Sequence, residues 1–366
     1  MITYARNLID VFLADAAAPA IPQLCNPEES MDIDPVGQPN IAVGRISNGF
    51  TQRYKYFIFD STIDSASKLH LFPGLQYLMI RSLLFAPLAI TVASAATLAE
   101  RQSTTCDCGY KDSTGAVWRE SFVSDFTAAA GAEAVLSQKF YKFNYPEPHP
   151  DSPNNMNYNP NNVYAYNDGL GMKTSAYSGS GLVQTAGIGT LHDMKYGTFR
   201  MRATVPSVPG VCFGFFTYKN VSNVIHEADV EFLSSDADYY QRVYHTNQPG
   251  LVNGNTDPDA SKSIVIPGAD FTEFHEHRLD WLPGSSKYYY DGSLKSTVNK
   301  NSPAVDSPLY VNVWSDGGPL WSRGPPTQDA IATIYYIKGY YNSSAVSESQ
   351  FNTRCAAATN KTPCSV

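Results

Sequence analysis

Between about Thr104 and Ser343, apolar and polar residues alternate over short runs, and turn residues separate the runs. The alternation is plain in Gly197–Val205 (GTFRMRATV), Cys212–Tyr218, His226–Leu233, His277–Trp281, Lys287–Gly292 and Leu309–Trp314. A period of two sends successive side chains to opposite faces, so each run predicts a β-strand with one face turned to a core. Pro209-Gly210, Pro283-Gly284 and Asp291-Gly292 mark turns between them. No long stretch carries the period of an amphipathic helix. About 240 residues of this kind predict an all-β fold, a large two-sheet sandwich or jelly roll. The segment Pro146–Asn162 is rich in Asn and Pro and is expected as an exposed loop.

Composition narrows the function. Charged residues make up 16% of the 366, against the ~25% of an average soluble chain, while 24 Tyr, 25 Gly and 24 Pro favour strands and turns over helical bundles. The net charge is −8 and no Lys/Arg cluster occurs, which excludes nucleic acid as a partner, because phosphate contacts need grouped cations.

Residues 79–95 (MIRSLLFAPLAITVASA) have the parts of a secretory signal peptide: Arg81, an apolar stretch from Leu83 to Ala93, and the small-x-small site Ala93-Ser94-Ala95. Met79 is then the expected start, and residues 1–78 a non-native or disordered extension. The competing reading is a signal anchor with those residues cytosolic. Secretion to the cell exterior or cell wall is the expectation, as a monomer without stable membrane insertion. Three sequons follow, at Asn220, Asn342 and Asn360, and their side chains are expected on the surface. Cys106, Cys108, Cys212, Cys355 and Cys364 follow too. The two terminal clusters can staple the chain ends by disulfides, which leaves one thiol over. Cys106-Asp-Cys108 as a metal or redox site is the weaker reading, because no second cysteine pair has zinc-like spacing.

The segment Val224–Leu233 (VIHEADVEFL) carries the chemistry. In a strand, Glu227, Asp229 and Glu231 share one face, while His226, Ala228, Val230 and Phe232 take the other. Like charges on neighbouring positions of one face cost stability, so a structural strand has no use for them. Four strand steps separate the Cα atoms of Glu227 and Glu231 by about 13 Å. On a concave sheet their carboxyls can close to about 5–6 Å, near the ~5–5.5 Å of a retaining glycosidase pair. Calcium binding and a solvated acidic face are the alternatives, and the spacing leaves them open.

Glu227-Ala-Asp-Val-Glu-Phe232 resembles the E-x-D-x-E-F signature of glycoside hydrolase family 16, the lichenase and laminarinase type of β-glucanase. Tyr196-Gly-Thr-Phe-Arg-Met-Arg202, Gly214-Phe-Phe-Thr-Tyr218, Phe274–Pro283 with Tyr289-Tyr-Asp-Gly292, and Asn312-Val-Trp-Ser315 with Trp321 resemble further blocks of that family in the same order. The stretch Trp314–Pro326 is most similar to secreted fungal members. The resemblance implies a concanavalin A-like β-jelly-roll sandwich of two antiparallel sheets across 105–345, followed by a Cys-containing tail at 346–366. It implies a retaining mechanism with Glu227 as nucleophile, Glu231 as acid/base and Asp229 as the assisting acid. The chain departs from common family residues at Ile225, His226 and Ala228; Ala228 is expected on the core side, where it leaves the acids in place.

Sugar rings stack on aromatic faces. Strand parity makes Phe216, Tyr218, Trp314 and Trp321 candidate subsite walls, with Asn312 as a polar anchor and Tyr244 and Asn247 beside the acid strand. Arg200 and Arg202 are expected to face out beside the cleft. His275 and His277 as a metal pair lack a third ligand nearby, and no cofactor or metal is expected. Three outcomes are in view. One is a secreted endo-β-glucanase cutting β-1,3 or mixed β-1,3/1,4 glucan. The second is a transglycosylase of cell-wall glucan, and the third a non-catalytic β-glucan-binding lectin on the same fold.

Overall fold

A computed structural model describes residues 105–366. Residues 1–78 and the signal-like segment 79–95 lie outside the described residues. The alternating runs become strands of two large sheets. The front sheet has nine strands. Its path runs Ser261–Val265, Arg242–Asn247, Val224–Leu233, Cys212–Val221, Leu309–Trp314, Val183–Thr190, Met156–Tyr158, Tyr145–Glu147, and Phe140–Lys142 also pairs with Val183–Thr190. The back sheet has eight, in the path Ser293–Val298, Ser285–Tyr290, His275–Leu282, Lys195–Thr204, Ala330–Asn342, Gly169–Thr174, Val163–Tyr166, with Glu120–Asp125 also on Ala330–Asn342. Pairing is antiparallel throughout both sheets except between Met156–Tyr158 and Val183–Thr190, which run parallel.

The predicted core faces meet between the sheets. Phe213, Phe215, Ala228, Val230, Phe232, Val311 and Val313 from the front pack on Phe199, Met201, Ala203, Leu279 and Ile337 from the back. Trp281, fully buried, keeps its indole N–H satisfied by the carbonyl of Pro303 at 2.8 Å. Each large apolar side chain buried here contributes about 1.5–3 kcal/mol.

Three expectations are corrected. The stretch 146–162 is not an exposed loop. It carries two short strands, and Glu147, His149, Met156 and Tyr158 are buried. Pro146 and Asn157 themselves lie in these strands and pair with each other, so a composition that reads as loop enters the sheet. Arg200 and Arg202 do face outward, but from the back sheet, so they are on the far side of the sandwich from the acid strand. Asn220 is 9% exposed, because it lies within the ladder next to the two-residue turn Ser222-Asn223, opposite Ile225. Both turn residues have left-handed φ, 52° and 64°, the geometry of a tight hairpin. Asn342 is half-buried and its Oδ1 accepts from Arg119, while Asn360 is exposed.

The first described residues and the C-terminal segment are bound together. Cys106 pairs with Cys364 and Cys108 with Cys355. Strand Cys364–Ser365 lies parallel to Tyr110–Lys111. The tail 346–366 also holds the helix Glu348–Ala357, opened by a capping box between Ser347 and Gln350. Cys212 is the leftover thiol, and it is buried.

Candidate active site

The acid strand Val224–Leu233 sits inside the front sheet, between Cys212–Val221 and Arg242–Asn247. Ala228, Val230 and Phe232 enter the core, which forces Glu227, Asp229 and Glu231 onto the opposite face. Cross-strand register fixes what each acid meets. Glu227 faces Tyr218, Asp229 lies between Phe216 and Thr246, and Glu231 lies between Gly214 and Tyr244.

The three carboxyls form one electrostatic unit. Asp229 and Glu227 are hydrogen-bonded to each other. Gln248 Nε2 donates to Asp229 Oδ2 at 3.2 Å. Glu231 Oε1 accepts from the Cys212 thiol at 3.3 Å and from Trp321 Nε1 at 3.2 Å. Burial disfavours charge, and the acids repel one another. Burial, then the charges of Glu227 and Glu231, holds Asp229 well above the usual carboxylate range. Burial and the Glu231 charge push Glu227 up to about 8. Burial also raises Glu231, but the thiol and indole donors oppose it. The bond between them raises Asp229 and lowers Glu227, so Asp229 is its donor and the later of the two to lose its proton.

Beside the acids a row of small residues crosses the sheet. Gly214 is opposite Glu231 on one side and Asn312 on the other, and Asn312 is opposite Gly187. Aromatic side chains stand on both flanks. On one are Phe216, Tyr218, Tyr310, Phe143 and Tyr158; on the other are Trp314, Trp321 and Tyr244. Gly187 and Gly189 are required here: a Cβ on Gly187 would run into the Phe143 ring, and one on Gly189 would lie 2.6 Å from Tyr310. Asn312 Nδ2 points to Tyr158 Oη at 3.5 Å, and its Oδ1 is buried without a partner.

The loop after Trp314 brings Trp321 to Glu231. Its anchor is Asp316, whose carboxylate accepts from Ser152 (2.5 Å), Ser322 (2.7 Å), the Gly318 amide (2.8 Å) and His149 Nδ1 (3.0 Å). Burial pushes Asp316 up, but these bonds prevail and bring it down to about 2. Trp321 packs on Tyr244 at 5.1 Å between ring centroids, and Tyr244 Oη donates to Asp236, which also pairs with Arg323.

The structure gathers Phe216, Tyr218, Tyr244, Asn312, Trp314 and Trp321 on the face of the acids, with Tyr218 and Trp314 nearly buried. Asn247 is corrected. It pairs with Ala228 on the core side, donates to the carbonyls of Val298 and Lys300, and accepts from Tyr288. Three residues separate it from Tyr244, an odd step that reverses the face. His275 and His277, two residues apart in one strand, share a face and both lie against the Tyr290 ring, but each is engaged elsewhere. His275 binds Asp291, and His277 lies against the Phe232 and Phe271 rings. Sequence reasoning missed Gln248, Tyr158, Tyr310 and Cys212. Tyr310 and Cys212 left a signal in strand parity: Tyr310 lies two residues before Asn312 and Cys212 two before Gly214, so each shares the face of the acids.

Residues 151–338, just over half of the chain, match the family model described as glycosyl hydrolases family 16. The chain is 30% identical over 170 residues to a β-glucanase of Paenibacillus macerans, covering 45% of this chain and 67% of the relative. It is 28% identical over 145 residues to Crh-like protein 2 of Aspergillus fumigatus, covering 36% and 31%. Among solved structures, the Bacillus licheniformis β-glucanase superposes with a TM-score of 0.49 at 20% identity, covering 61% of this chain and 98% of that one. The chain spans about half the length of the Bacillus subtilis β-glucanase that it matches.

Proposed function

The chain belongs to glycosyl hydrolases family 16, and on that premise we propose that it is a secreted, retaining endo-β-glucanase acting on β-1,3 or mixed β-1,3/1,4 glucan. The observation that carries this reading is the pairing of two differently bonded glutamates on one face. Glu227 is bonded to a protonated Asp229, and Glu231 is held by two neutral donors. In the first step Glu227 attacks the anomeric carbon and Glu231 gives its proton to the departing glycosidic oxygen. The Asp229 proton stabilises the charge on Glu227 before attack. In the second step Glu231 takes a proton from water, which displaces Glu227 from the sugar. The product keeps the configuration of the substrate.

Phe216, Tyr244 and Trp321, half-buried on this face, offer rings for sugar stacking, and the unpartnered Asn312 Oδ1 offers an acceptor for a sugar hydroxyl. The two disulfides agree with an oxidising compartment. Among the described residues no helix is long and apolar enough to cross a membrane.

Transfer to a sugar acceptor is the second reading. The glycosyl-enzyme on Glu227 can be displaced by a sugar hydroxyl as well as by water, with half-buried Glu231 taking the proton in either case, and the half-buried rings of Tyr244 and Trp321 beside it offer an acceptor sugar surfaces to stack on. Product analysis on laminarin and lichenan, with and without added oligosaccharide acceptor, separates the two. NMR of the first products should show the β anomer, and an α product would overturn retention.

A further inference from the structure

Cys212 opens the strand Cys212–Val221 and is buried, unpaired in a disulfide and in contact with Glu231. Its register partners are Leu233 and Trp314, which place its thiol one row beyond Gly214 and the Glu231 carboxyl. Both of the donors to Glu231, this thiol and the Trp321 indole, reach Oε1.

We infer that Cys212 is a positioning residue for Glu231: its thiol fixes the carboxyl through Oε1, leaves Oε2 to carry the transferred proton, and sets the pH at which that proton is lost. The inference rests on the reading of Glu231 as acid/base. A thiol suits the task physically. It is a weak donor, so it orients the carboxyl without strongly favouring the ionised form. A hydroxyl in the same place would favour the carboxylate more. The other titratable groups facing Glu231 are Asp229 and Glu227 on its own strand and Tyr244 on Arg242–Asn247, with Asp236 behind Tyr244. Behind Trp314 stands the His149–Asp316 pair, and behind Asn312 stands Tyr158. None of these changes when Cys212 is replaced.

The test is the pH profile of kcat/KM on natural glucan for Cys212→Val and Cys212→Ser. Valine keeps the volume and removes the donor. Its alkaline limb should move up by about half a pH unit, read as about a threefold gain over wild type on that side. Serine restores a donor, so its limb should lie at or below the wild-type position. An activated aryl glucoside, which needs little acid help, should show no such shift in its glycosylation step. A valine limb that does not move, or a serine limb that moves up with it, overturns the inference; so does a matching shift with the aryl glucoside. Melting temperatures of both variants identify a merely structural effect, which changes stability but not the limb. Glu231→Gln in the same series keeps the two readings apart: full turnover of glucan by that variant would overturn the acid/base assignment itself.

Discussion

The Trp321 indole donates to Glu231 Oε1 across 3.2 Å, although ninety residues separate the two in sequence. The contact depends on the loop wound around Asp316, which Ser152 and His149 reach from a distant part of the chain. Trp321→Phe keeps a ring against Tyr244 and removes the donor. The expected result is a loss of kcat on glucan of roughly tenfold, about the worth of one hydrogen bond to a charged group. Steady-state kinetics on laminarin check it, and an unchanged kcat would remove Trp321 from the machinery.

The three acids should fail in three distinguishable ways. Glu227→Gln should lower turnover at least about a thousandfold on every substrate while leaving glucan binding intact, because shape and stacking remain. Glu231→Gln should be slow on glucan but retain attack on aryl glucosides with good leaving groups. Asp229→Asn should fall between them. Comparing glucan with an activated aryl glucoside measures all three, and near-normal hydrolysis by Glu227→Gln would exclude this strand as the active site.

Glu147 is fully buried, and neither carboxylate oxygen has a partner. Burial alone pushes it up to about 8 from 4.5. A raised folded value means that its contribution is fully present below 4.5 and is lost as pH rises toward 8. Glu147→Gln removes that titration. The variant should therefore gain on wild type by about 1.4 kcal/mol for each pH unit across this window, less where water reaches the site. Denaturant melts at pH 5 and pH 8.5 give the difference directly, and equal gains at both values would contradict it.

Expression through a eukaryotic secretory route should place a glycan on Asn360 and none on Asn220. The first is exposed, and the second is locked in the ladder beside a tight turn. Peptide mass mapping decides this, and full occupancy at Asn220 would mean that the hairpin forms only after modification.

How far the sequence reveals this protein follows from the range of each interaction. The acid trio is legible because strand parity is local: Ala228 and Val230 belong to the core, so their neighbours must face away. The same rule, applied with care, excludes Asn247. Arg200 and Arg202 obey parity yet lie on the wrong sheet, because sheet membership is set by pairing with residues as distant as Tyr336 and Lys338. The burial of Glu147 and His149 was hidden by the prolines around them. Cys212 looked like an unpaired remainder of the cysteine count, and its neighbour Glu231 is brought to it only by the hairpin.

The two bridges from Cys106 and Cys108 to Cys364 and Cys355 also decide how the molecule carries a mechanical load. Tension applied between residue 105 and residue 366 enters beside one bridge and leaves beside its partner. Covalent bonds and the small sheet formed by Tyr110–Lys111 and Cys364–Ser365 take the pull, and the strands that carry the acids feel none of it. Once both bridges are reduced, the same pull would peel the sandwich from its ends.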